Sequence, residues 1–262
     1  MARRNRMTRP FAAARVLVSH RRSPGSDFIL ALFLAGIAGA SNAGGFFALG
    51  QYTSHMTGYL SQIADSLVMG NLLVTATAVL AIASFVTGAM ASTFLVNWAR
   101  HRTGRRQFAL PLAVQGGCLA FFALGGIVTS PPARLFALAL LCFIMGMQNA
   151  TITKISGARI RTTHATGMIT DIGIEGGRAL YRLVQPNSAV RVDGTKLRIL
   201  LALVGTYVLG GIVGALGYAV AGFCFSLPLA GLLLALALPA LVTVPRPRRG
   251  RQPGTEPQRP AS

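Results

Sequence analysis

Acidic side chains are nearly missing from this sequence, with six Asp and Glu among 262 residues against 25 Lys and Arg. Charge of either sign is scarce, at 12% of residues, where a soluble domain carries about 25%. So little charge, with 52% apolar residues and a mean hydropathy of +0.55, excludes both a soluble globular domain and a disordered chain. Cysteine is also sparse. Cys118, Cys142 and Cys224 are odd in number and all fall in apolar runs, so they read as small packing residues rather than a disulfide framework. The chain has no His-Glu-x-x-His, Gly-x-Ser-x-Gly or phosphate-binding loop, no cysteine pair at metal spacing and no twin carboxylates on one helical face. An enzyme, a resident metal and a cofactor are therefore not expected.

What the sequence does have is apolar runs of about 20 residues, the length that crosses a hydrocarbon core. Six stand out, at about 28–50, 72–96, 108–128, 135–153, 197–221 and 223–244. Two half-polar segments interrupt them, 51–70 and 154–196, and both are too polar to face lipid as re-entrant or interfacial pieces would have to be understood. Lys and Arg fall almost wholly on one side of the six crossings, with 24 of 25 there and only Arg134 opposite. Such a split predicts cytoplasmic N- and C-termini. The layout is a basic arm at 1–27, one transmembrane domain at 28–244 and a basic, disordered tail at 245–262. The net charge of +19 is read as a topology signal that also meets anionic headgroups, not as nucleic-acid binding.

One pattern occurs twice. Gly39-Ala40-Ser41-Asn42-Ala43, Gly50 and Thr53-Ser54-His55-Met56-Thr57-Gly58 are echoed by Gly146-Met147-Gln148-Asn149-Ala150, Gly157 and Thr162-Thr163-His164-Ala165-Thr166-Gly167. The offset is 107 residues up to Gly50 and 109 from the His-x-Thr-Gly onward. With three spans per copy, at about 28–128 and 135–244, the second copy is upside down. The fold expected is thus an all-α integral membrane protein of six helices in two inverted three-helix repeats, an architecture secondary transporters use. The repeat also argues against reading the basic arm, Phe28 to Ile37 and Ala38-Gly39-Ala40 as a cleavable signal peptide.

These motifs resemble those of the YoaK family of bacterial inner-membrane proteins, which carries a domain of unknown function, and the resemblance covers about residues 28–244. It implies a small polytopic protein of the bacterial inner (plasma) membrane and supplies no substrate. The chain departs from the family pattern at Asn42, where Asp is frequent, and at Tyr59, where Asn is frequent. The first motif therefore lacks the acid that a proton or cation role would use.

Histidine beside threonine and glycine joins a group that titrates near neutrality to hydroxyl donors and an open backbone. If Thr57 or Thr166 opens a helix, its free amides favour an anionic group. The candidate substrate-binding residues are His55, Thr57, Gly58, His164, Thr166, Gly167, Asn42, Asn149 and Asp171. The plainer reading makes each His-x-Thr-Gly a turn motif, and Asn42 and Asn149 helix glue. His55 and His164 fall on opposite membrane sides, which argues against a two-His metal centre. Over 168–184, Asp171, Glu175, Arg178 and Arg182 share one face of an amphipathic helix, with a Glu175–Arg178 pair and Asp171 as a cavity partner or a plain interfacial charge. Gly88 and Ser92 in the second helix, and Gly210, Gly211, Gly214 and Gly217 in the fifth, predict close helix packing. The function expected is a secondary transporter or permease for a small polar, anionic or neutral solute. The alternatives are a membrane scaffold or ligand sensor that docks a partner through its basic face, and a channel. Homo-oligomerisation is left open.

Overall fold

The computed structural model describes residues 24–103, 107–124, 130–155 and 165–242. Most of the basic arm, the tail and His164 lie outside the described residues. Among the described residues there are eight α-helices and no strand: α1 Pro24–Leu49, α2 Met56–Val68, α3 Leu72–Thr103, α4 Ala109–Phe122, α5 Pro131–Ile155, α6 Ala165–Val184, α7 Gly194–Ala221 and α8 Ser226–Val242. The six apolar runs become α1, α3, α4, α5, α7 and α8, and the two half-polar segments contain α2 and α6. Four stretches are long and apolar enough to cross a membrane: Asp27–Leu49, Leu72–Arg102, Pro131–Lys154 and Gly194–Leu238. The last is 45 residues long and is broken at Gly222, whose φ of 55° opens the 3-10 turn Gly222–Phe225 between α7 and α8. The third expected span is shorter than foreseen, with 14 described helical residues.

These apolar helices fit a membrane protein, and burial separates them into two kinds. In α1 and α5, 61% of the most apolar window is buried, against 17% in α3 and 11% in the α7–α8 stretch. Leu72, Val79, Val86, Met90 and Phe94 of α3 and Leu209, Ile212, Val213, Leu216 and Val220 of α7 face outward. An apolar exterior over a buried polar interior suits lipid as solvent.

The main packing pairs are α1 with α7, α3 with α5 and α4 with α8, and α1 also meets α5. Glycine sets how close the first two pairs come. A Cβ on Gly39 would land on the carbonyl oxygen of Tyr207, and one on Gly210 would land on that of Gly36. In the other pair, a Cβ on Gly88 would land on the Phe143 carbonyl and one on Gly146 on the Phe85 carbonyl. Each crossing is thus reciprocal and made backbone against backbone, where dispersion and peptide contacts replace the hydrophobic effect that lipid cannot supply.

Two apolar clusters fill the interior, one around Leu34, Leu112 and Ile152, the other around Leu119, Ile144 and Leu229. A polar layer lies between them. Thr151 Oγ1 donates to the Met147 carbonyl at 2.7 Å and accepts from Gln115 Nε2 at 3.1 Å and Ser92 Oγ at 2.8 Å, tying α3, α4 and α5 together. Gln148 Nε2 donates to the Leu34 carbonyl of α1 at 2.6 Å.

Replacing Gly88 by Val forces the α3 and α5 backbones apart, and we expect a loss of about 1–3 kcal/mol or more, the range for overpacking. Gly117→Ala, on α4 with open space around it, is the matched control and is expected to leave thermal stability unchanged or slightly raised. Equal melting temperatures for the two variants in detergent would contradict the crossing.

Candidate functional site

The join between α1 and α2 is built by a helix stop and a folded-back loop. Gly50 takes φ 74°, a left-handed conformation that ends α1, and its amide bonds the Phe46 carbonyl at 2.8 Å. The loop then turns inward and buries Thr53 completely. Ser54 donates to Asn42 Oδ1 twice, through its amide at 3.1 Å and its hydroxyl at 3.0 Å. Tyr207 of α7 brings its hydroxyl within hydrogen-bonding reach of Ser54 and Asn42. Tyr59 anchors the loop from α2 by donating to Gln51 Oε1 at 3.0 Å, and burial holds its phenol well above the usual range, so the donor proton stays in place. His55 precedes α2 without capping it through its side chain. Its ring lies over Gly58, where a Cβ would land on the imidazole.

A cavity of about 470 Å³ opens beside this loop, lined by Asn42, Tyr52, Ser54, His55, Met56, Thr57, Phe85, Asn149, Ala165, Thr166 and Tyr207. Five of the candidate residues meet here: Asn42, His55, Thr57, Asn149 and Thr166. Gly58 lines an adjoining cavity of about 390 Å³ with His55, Gln51 and Gln62. Gly167 is exposed and absent from the cavity wall. His164 lies outside the described residues. Among the described residues no cluster of three His, Cys, Asp or Glu could hold a metal.

Asp171 is a correction. It turns away from the cavity and pairs with Lys196 Nζ of α7 at 3.4 Å, half-exposed on both sides. The reason is the way α6 docks. Met168 and Glu175 are its buried residues, so Asp171 falls at the edge of the α6–α7 seam. Glu175 is fully buried, accepts from Arg178 Nη1 at 2.7 Å, as the i, i+3 spacing predicts, and accepts from the Asp193 amide at 3.0 Å. That carboxylate pins α6 to the start of α7.

A family model described as a protein of unknown function, DUF1275, matches residues 30–239. The chain belongs to the DUF1275 family. The match gives the motif resemblance its extent, but it does not carry the YoaK name. None of the curated proteins matches the chain, and none of the solved structures does. In this DUF1275 chain, three wall residues escaped the sequence reading. Phe85 and Tyr207 lie three residues before Gly88 and Gly210, and that shared spacing is the signal that could have found them. Ser54 stands in the repeated motif, but its bond to Asn42 needs the loop to fold back.

The two asparagines differ in their bonding. Asn42 Oδ1 is used twice, whereas Asn149 Oδ1 is buried with no partner. We therefore expect Asn42→Leu to cost about 1–2 kcal/mol, and Asn149→Leu to leave stability within about 0.5 kcal/mol or to raise it. Melting temperatures in detergent check this, and equal losses would contradict the assignment.

Proposed function

We propose that this chain is a secondary transporter or permease for a small polar solute, built as two inverted three-helix repeats that alternate access to one central cavity. The observation that carries the reading is the pairing of residues on the cavity wall. Asn42 and Asn149 stand 107 residues apart in the chain, and Met56 with Ala165 and Thr57 with Thr166 stand 109 apart, the two offsets of the duplicated motif. Phe85 and Tyr207 add a further matched pair. A site lined by the same positions of two related halves is what a transporter with internal repeats uses. The reciprocal glycine crossings support it, since α1 meets α7 and α5 meets α3 in the same manner.

In this reading α1, α3, α4, α5, α7 and α8 cross the bacterial inner membrane, with both termini cytoplasmic as the Lys and Arg distribution favours. The basic cytoplasmic side meets anionic headgroups. No bond in the solute is made or broken, so the chain is not an enzyme.

Reconstituted in liposomes, the full chain is expected to catalyse saturable counterflow of at least one compound from a labelled panel of small polyols, amides and carboxylates. His55→Ala is expected to lower that exchange about tenfold or more, the effect of one to two kcal/mol at a shared site. Unitary conductance in planar bilayers would point to a channel instead. A flat counterflow response with a stoichiometric co-purifying protein would contradict transport and favour the scaffold.

A further inference from the structure

We propose that the solute of this cavity is a small carboxylate that also carries a hydroxyl or amino donor, with the carboxylate at the start of α2 beside His55 and the donor on Asn149 Oδ1. The inference rests on the transporter reading and names its substrate class.

The donor follows from the unequal asparagines. Asn42 and Asn149 hold matched places on one wall, yet Ser54 already saturates Asn42 Oδ1 with bonds of 3.1 and 3.0 Å. Asn149 Oδ1 is buried and has no partner. A carbonyl oxygen kept from water costs free energy until a donor meets it, and the space in front of Asn149 is the cavity. The missing donor therefore belongs to the occupant.

The carboxylate follows from what else lines the wall. No Asp or Glu is among the lining residues, so a cation would find no counter-charge. The start of α2 is part of the wall, its first turn holds no acid, and His55 does not cap it through the side chain. Its first amides and its dipole favour a negative group. Helix α7 shows the contrast: Asp193 accepts from the Lys196 amide at 2.9 Å and fills that role with its own carboxylate. Hydroxyls of Tyr52, Thr57, Thr166 and Tyr207 add further donors around a volume of about 470 Å³, room for a molecule of a few carbons.

The test is the melting temperature of the purified full chain in detergent, at fixed pH and ionic strength, with sodium propionate, sodium lactate, alanine or lactamide. We expect lactate and alanine to raise it by about 3 °C or more at saturation, propionate by less, and lactamide not at all. In Asn149→Leu, lactate should fall to the level of propionate, a loss of about tenfold in apparent affinity, as for one hydrogen bond. Thr57→Val is a second variant, needed should Asn149→Leu fail to fold, and is expected to weaken lactate and propionate alike. Equal stabilisation by lactate and lactamide would overturn the carboxylate, and equal stabilisation by lactate and propionate would overturn the donor on Asn149. If none of the four binds while another polar solute shows counterflow, this inference falls and the transporter reading stands. Absence of saturable flux for every solute would remove that reading itself.

Discussion

At Gly39, Gly88, Gly146 and Gly210 a carbonyl oxygen from the facing helix occupies the space where a Cβ would sit. Everything else in the interior depends on that approach. With backbones in contact, Phe85 and Tyr207 are carried to fixed depths beside the first helix of the other half, and their side chains reach the same cavity. The polar layer of Ser92, Gln115, Gln148 and Thr151 is equally a product of closeness, because short side chains span the gap between helices only when the gap is small. A larger residue at any of the four glycines would widen the crossing and uncouple both features.

The cavity wall shows how the two halves have diverged while keeping the same positions. On one side, the loop after α1 folds back and ties Ser54 to Asn42, with Tyr207 close by. On the other, Phe85 replaces the tyrosine and Asn149 keeps an open oxygen. One asparagine thus positions the loop and the other is left for an occupant. The anchoring of α2 and α6 differs in the same way. Ser66, buried in α2, meets Thr75 Oγ1 of α3 at 2.7 Å, while Glu175, buried in α6, reaches the Asp193 amide at the start of α7. Ser66 and Glu175 stand 109 residues apart, the second offset of the repeat.

Most helices could be read from the sequence because apolar runs and their polar breaks report lipid exposure directly. The half-polar segments were recognised as unlike the rest, yet their helices could not be placed, since their stability comes from docking Ser66 and Glu175 against neighbours. Five site residues were legible because the duplication marked them twice. Tyr207 and Phe85 were not, because an aromatic in an apolar span carries no signal until the crossing glycine three residues later is known to touch the other half. Asp171 misled for the opposite reason. Its spacing from His164 suggested a shared face, while the seam with α7 offered Lys196 as a nearer partner.

The account rests on the second half being inverted with respect to the first. Ser61 and Thr170 are matched, exposed positions on α2 and α6, and each can carry a single cysteine once Cys118, Cys142 and Cys224 are replaced. In sealed vesicles of known orientation, a membrane-impermeant maleimide is predicted to label Ser61→Cys only from outside and Thr170→Cys only from the cytoplasmic side. Labelling of both from the same side would contradict the inverted arrangement, and the alternating-access mechanism with it.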